Sequence, residues 1–280
     1  MQNYNKTICV IGLGYIGLPT AALLACKGYS VRGVDINQDS VDTINSGGVH
    51  IVEPDLDKYV KESVSSGALK AFVKPQMADI YIICVPTPFY ADKKLPTPDL
   101  DYVIRATESI APLVKPGDIV ILESTSPIGT TERMAKILEQ NGIDIEKISI
   151  AYCPERVLPG KIMVELISND RIVGGVNQAS TQRVAEFYET FVDGDVLKSL
   201  AKTAEMCKLA ENSFRDVNIA FANELSMVCD THNIDPWELI RLANHHPRVS
   251  ILQPGAGVGG HCIAVDPWFI VSGDPEHAHI

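Results

Sequence analysis

Positive charge is scarce in this chain: 24 lysines and arginines stand against 35 aspartates and glutamates, a net charge of −11. That balance argues against non-specific nucleic-acid binding and against docking on an anionic membrane. It leaves room for an anionic small substrate, because one arginine or one helix N-terminus holds a phosphate against the global field. No CxxC pair occurs among the seven cysteines (9, 26, 84, 153, 207, 229 and 262), and their number is odd. Most lie in apolar runs such as Ile82-Ile83-Cys84-Val85, which reads as reduced core cysteine in a cytoplasmic protein. The histidines do not cluster with cysteines at ligand spacing, so no metal site is expected. There is no internal repeat and no low-complexity segment. One charge-free stretch, residues 7–26, follows Lys6 and has the length of a membrane span or a signal segment. Glycines at 12, 14 and 17 and Pro19 interrupt it, and a strand–turn–helix uses every one of those interruptions.

What is present points to an α/β chain. Its 280 residues, 46% of them apolar, suffice for one large domain or two ordinary ones. Strands are expected at 7–11, 30–34, 79–85, 118–122, 148–151, 171–174 and 195–197. Helices are expected at 16–27, 39–46, 56–65, about 99–114, 130–141 and 179–191. Strands alternating with helices imply a parallel sheet covered on both faces. After about residue 200 the texture changes. Residues 201–232 contain neither proline nor glycine, and their apolar residues, among them Met206, Leu209, Phe214, Val217 and Val228, occupy more than one helical face. That predicts a long helix buried on several sides, as between domains or subunits. Asp235-Pro236-Trp237 starts another helix, with the proline in its first turn. The expected division is a Rossmann-type part over 1–198 and a helical part over 199–280.

The fingerprint Gly12-Leu13-Gly14-Tyr15-Ile16-Gly17 lies between a strand and a helix. Gly12 permits the tight turn, Gly14 lets a pyrophosphate approach the backbone, and Gly17 lets helix and strand pack closely. Asp35 ends the next strand, where it accepts hydrogen bonds from a ribose and repels a 2′-phosphate, so NAD is favoured over NADP. Without a ligand the same residues make a tight turn. Pro86-Thr87-Pro88 and Ser124-Thr125-Ser126-Pro127 each follow an apolar strand; each is a cofactor-edge loop or simply a proline-shaped turn. Glu155, in Pro154-Glu155-Arg156, is a base or the ion-pair partner of Arg156, and the pattern alone favours the pair. Lys208 and Asn212 share a helix face at i, i+4. The pattern alone favours an exposed lysine there, near Glu205 and Glu211. Cys262 follows glycines at 257, 259 and 260 and precedes Asp266-Pro267. A buried structural cysteine is the bland reading; glycines before a thiol suggest amides that favour thiolate. His261 is adjacent, but neighbouring side chains point apart.

Taken together these stretches resemble the UDP-glucose and GDP-mannose dehydrogenase superfamily, in its branch acting on UDP-N-acetylhexosamines. The resemblance is carried by residues 10–19, by Glu123-Ser124-Thr125-Ser126-Pro127, by residues 152–160, by residues 207–218 and by Gly259-Gly260-His261-Cys262-Ile263-Ala264-Val265-Asp266-Pro267-Trp268. It implies a four-electron oxidation of a sugar C6 alcohol with NAD, in which Cys262 is the nucleophile. Lys208 and Asn212 act on the C6 oxygen, and Glu155, Thr125 and Asp266 handle protons and water. Gly12, Gly14, Tyr15, Ile16, Gly17, Asp35, Pro86, Thr87, Ser124 and Thr125 would bind the cofactor. Glu155, Arg156, Val157, Lys208, Asn212, Arg248 and Gly259 would face the sugar nucleotide, with Arg248 matching least closely in spacing. The expected assembly is a cytoplasmic homodimer in polysaccharide biosynthesis. Members of the family continue into a further UDP-binding domain. These 280 residues alone are therefore expected to bind NAD and to turn over weakly or not at all. The alternatives are action on UDP-N-acetylglucosamine or UDP-glucose, a non-catalytic NAD-binding and dimerisation module, and a two-electron 3-hydroxyacid dehydrogenase in which Cys262 is incidental.

Overall fold

Short β-branched runs in the first two-thirds of the chain assemble into a single eight-stranded sheet. The computed structural model describes residues 6–90, 95–258 and 262–278. The chain divides into two compact units, one of residues 1–88 and 99–205, the other of residues 89–98 and 206–280. In the first unit the strands are β1 (Thr7–Ile11), β2 (Ser30–Val34), β3 (Leu69–Phe72), β4 (Ile80–Ile83), β5 (Ile119–Leu122), β6 (Ser149–Tyr152), β7 (Arg171–Gly175) and β8 (Val196–Leu200). They lie in the order β3-β2-β1-β4-β5-β6-β7-β8. The first six in sequence are mutually parallel, in the doubly wound order that places a ligand crevice between β1 and β4.

The expected parallel sheet is seen, with one reversed step. β7 runs antiparallel to β6, and β8 is parallel to β7. Between β6 and β7 lies the seven-residue helix α6 (Ile162–Ser168, numbered in chain order), which the sequence does not announce.

Side-chain alternation divides the core in two. Ile8, Val10, Ile80, Ile82, Ile119 and Ile121 point to one face, covered by α1 (Gly17–Cys26), α3 (Leu56–Ser65) and α7 (Gln178–Tyr188). Cys9, Ile11, Tyr81, Ile83, Val120 and Leu122 point to the other, covered by α4 (Asp101–Ile110) and α5 (Thr130–Gln140). The period of two along each strand makes this division, and the helices named here bury apolar residues against it. Helix α2 (Gln38–Asn45) is capped by the Asn37 side chain. Strand β3 was not expected, β4 is shorter than the predicted 79–85, and α7 stops at Tyr188 rather than 191.

The second unit is helical. α8 (Ala201–His232) matches the predicted span, with its first residues, to Glu205, in the first unit. α9 (Pro236–Ala243) begins at the expected proline, where Asp235 accepts the Trp237 amide. α10 (Asp266–Gly273) was not foreseen. Residues 89–98 contribute a bridge between Phe89 and Pro98, and the Phe89 ring meets Phe269 edge-on at 5.9 Å. Burial of α8 on several sides is not seen in the single chain. Leu209, Ala222 and Cys229 are buried, but Phe214 is 62% exposed and Val228 51%. Two eight-residue helices supply too little surface to cover a helix about 48 Å long. Among the described residues no helix is long and apolar enough to cross a membrane.

Candidate active site

The glycine turn sits where β1 and β4 meet. Gly12 has φ +90°, and its amide donates to Val34 O at 2.8 Å. A Cβ at Gly12 would stand 2.7 Å from Cys84 O, and one at Gly17 would stand 1.7 Å from Gly12 O. Both glycines are therefore required by the packing of the protein itself. Gly14 is different: among the described residues a Cβ there would meet no atom within 4 Å. That open space suits a backbone that a ligand approaches. α1 then begins with no side-chain cap and no acidic residue in its first turn, so its leading amides and dipole are left for an anion.

Asp35 does more than the sequence reading gave it. Its Oδ2 accepts the Leu13 amide at 3.0 Å and its Oδ1 the Asn37 amide at 2.9 Å. The carboxylate thus ties the glycine turn to the end of β2, and each oxygen keeps a lone pair for a ribose hydroxyl. Tyr15 is exposed and Ile16 half-buried at the same turn. These features fit a dinucleotide.

The loops after β4 and β5 line the same sheet edge and are laced together. Thr87 donates its hydroxyl to Thr125 O at 2.7 Å, and Ser124 donates to Val85 O at 2.7 Å. Thr87 and Ser124 therefore shape this edge through their hydroxyls, while Pro86 is exposed and Thr125 half-buried beside them. After β6, Glu155 is buried; its Oε2 accepts the Val157 amide at 2.6 Å. Its Oε1 lies 3.7 Å from Nη1 of Arg171, a partner the sequence reading did not name. Arg156 donates to Asp170 O at 3.3 Å.

In the second unit Lys208 and Asn212 lie one helical turn apart on α8, half-buried and buried respectively. Asn212 donates through its amide to Asp266 Oδ2. Burial pushes the Asp266 carboxyl up to about 6, against the opposing pull of the Asn212 hydrogen bond and the Lys208 charge. The reading of Lys208 as a surface lysine beside Glu205 is corrected. Glu205 is fully buried, and its carboxylate accepts the amides of Gly129 and Thr131 and the Thr131 hydroxyl, closing the N-terminus of α5. Cys262 is exposed, unlike the buried Cys9, Cys153 and Cys229. Its carbonyl accepts the amides of Val265 (3.0 Å) and Asp266 (2.9 Å), so the thiol rides on the turn that leads into α10. Arg248 is exposed, with its amide 3.3 Å from His246 Nδ1. Gly259 and His261 lie outside the described residues.

Two groupings result. One carries the glycine turn, Asp35, Thr87, Ser124, Thr125 and Glu155. The other carries Lys208, Asn212 and Asp266, a carboxyl that exchanges a proton near neutral pH beside a cation and an amide, with Cys262 four residues before Asp266.

Comparison with known proteins bears on both. Residues 6–192 match the UDP-glucose/GDP-mannose dehydrogenase family, NAD binding domain, and residues 202–279 match the central domain of the same family. A UDP-N-acetyl-D-mannosamine dehydrogenase from Yersinia pestis is 58% identical over 98% of this chain and 67% of its own length. An NDP-N-acetyl-D-galactosaminuronic acid dehydrogenase from Ralstonia solanacearum is 55% identical over 98% of this chain and 66% of its own. Among solved structures, the UDP-D-ManNAc dehydrogenase of Pyrococcus horikoshii superimposes with a TM-score of 0.91 at 45% identity, over 96% of this chain and 65% of that one. The chain thus spans about two-thirds of the length of these relatives.

Proposed function

The chain belongs to the UDP-glucose/GDP-mannose dehydrogenase family, and from that premise we propose that it oxidises the C6 alcohol of UDP-N-acetyl-D-mannosamine to the carboxylate of UDP-N-acetyl-D-mannosaminuronate. The observation that carries this reading is the Lys208–Asn212–Asp266 cluster, set beside an exposed Cys262 in a chain with a dinucleotide turn. The sugar is taken from what the relatives from Yersinia pestis and Pyrococcus horikoshii are said to act on.

Bound NAD would accept one hydride in each of two oxidations. Gly12, Gly14, Tyr15, Ile16 and Gly17 would hold its pyrophosphate, Asp35 its ribose, and Pro86, Thr87, Ser124 and Thr125 would shape the edge that receives it. Lys208 and Asn212 take the C6 oxygen as its proton leaves, and Lys208 stabilises the negative charge that develops there. The Cys262 sulfur adds to the aldehyde carbon, giving a thiohemiacetal whose loss of a second hydride leaves a thioester. Water then cleaves the thioester, returning the thiol and releasing the acid. One alcohol, one water and two NAD become one carboxylate, two NADH and three protons. Asp266, with a carboxyl near 6, is suited to pass protons in this sequence, and Glu155 and Thr125 to hold the water. Arg156, Val157, Arg248 and Gly259 complete the sugar-facing set.

Residues 1–198 serve the cofactor and residues 199–280 the sugar and a second copy of the chain. Supporting the dimer, α8 leaves Phe214, Phe221 and Met227 exposed in the single chain. Reduced cysteines and the absence of a membrane-crossing helix among the described residues suit a cytoplasmic homodimer making a nucleotide-sugar acid. Product analysis tests the reading. UDP-N-acetyl-D-mannosamine, UDP-N-acetyl-D-glucosamine and UDP-glucose are each offered with NAD, and the mannosamine sugar is expected to yield the acid fastest. No acid from any of them would leave an NAD-binding module.

A further inference from the structure

Arg171 is buried to 2% exposure at the first position of β7, a place that an apolar side chain would fill without cost. A guanidinium there is unfavourable unless its charge is used. Its Nη2 donates to Leu166 O at 3.0 Å, and the group stacks over the Tyr188 ring at 5.8 Å. Nε and Nη1 have no hydrogen-bond partner among the described residues. The nearest carboxylate oxygen is Glu155 Oε1, 3.7 Å from Nη1. That is too long for a hydrogen bond and short enough for strong charge–charge attraction away from water.

The reversed strand explains how Arg171 comes to be there. β6 and β7 pair Ala151 with Gly175 and Tyr152 with Gly174. The ladder ends at Tyr152; continued three steps, the same register would set residue 155 against residue 171, in keeping with the 3.7 Å approach of their side chains. A parallel β7 would have carried Arg171 to the opposite end of the sheet, away from the glycine turn.

We propose that Arg171 is a positioning residue, delivered by the antiparallel seventh strand, that orients the Glu155 carboxylate and keeps it charged at the cofactor edge. Other titratable groups face the guanidinium. They are Glu123 after β5, Cys153 after β6 and Tyr188 on α7; Cys84 after β4 faces Glu123 in turn. Glu123 has donors of its own, the Tyr188 hydroxyl at 2.6 Å and the Cys84 thiol at 3.3 Å. Among the described residues, the ion pair of Arg171 within 4 Å is with Glu155. This inference rests on the reading of Glu155 as a water- and proton-handling group.

The test uses the full chain with ¹³C-carboxyl-labelled glutamate, the Glu155 signal being identified by its loss in Glu155→Gln. In Arg171→Gln the Glu155 titration midpoint should rise by about one unit or more, with Arg171→Lys falling between it and the unaltered protein. The acid limb of kcat/KM for NADH formation should move by the same amount. An unchanged midpoint in a folded Arg171→Gln protein overturns the proposal. If Arg171→Gln fails to fold, the double variant Arg171→Gln/Glu155→Gln decides. Recovered folding supports a charge pair, and continued failure to fold overturns it. The carboxyl titration needs no turnover, so its outcome is read separately from the product analysis that tests the activity reading.

Discussion

Substituting Asp266 by asparagine should make stability less dependent on pH. The carboxyl titrates near 3.8 when unfolded and at about 6 when folded, burial being the main cause. The folded state therefore holds a proton that the unfolded state releases between these values. The contribution of Asp266 to stability falls as pH rises through that window and is flat below and above it. Two pH units correspond to about 3 kcal/mol in full, of which about 2 kcal/mol falls between about pH 4.5 and about pH 7.5. Asparagine does not titrate, and its carbonyl oxygen can still accept the Asn212 amide. Urea unfolding of both proteins at the two pH values measures the effect as a double difference. The variant should gain about 2 kcal/mol relative to the unaltered chain on going to the higher pH, while losing turnover. A double difference below about 0.5 kcal/mol would refute the buried, late-titrating carboxyl.

The two glycines of the turn should separate ligand from fold. Gly14→Ala is expected to keep stability within about 1 kcal/mol, since its Cβ meets no atom of the described residues, yet to weaken NAD binding by calorimetry. Gly17→Ala, whose Cβ would stand 1.7 Å from Gly12 O, should not yield a native fold by circular dichroism. Glu205→Ala removes the acceptor of three donors at the start of α5 and should cost about 2–3 kcal/mol in urea unfolding. A cost near zero would mean that water replaces the carboxylate there.

What was legible in the sequence was local. Gly12, Gly14, Gly17 and Asp35 lie within one strand–turn–helix–strand unit, so spacing alone places them. The span of α8 follows from 32 residues without a helix breaker. Its burial does not, because Phe214 and Val228 need a covering surface that the described residues do not provide. No residue announces the direction of β7. Arg171 was missed for that reason: facing Glu155 is a consequence of register, not of spacing. Glu205 was misjudged because its partners, Gly129 and Thr131, lie more than seventy residues away. Reading Lys208 and Asn212 as a pair was possible from i, i+4 spacing; their tie to Asp266 required α10, which the proline at 267 did not betray.

The most direct test of the four-electron oxidation counts NADH against acid with UDP-N-acetyl-D-mannosamine as substrate, in the unaltered protein and in Cys262→Ser. The account predicts two NADH per molecule of acid, and no acid from the serine variant. One NADH per product molecule, or acid at the unaltered rate from Cys262→Ser, would contradict it.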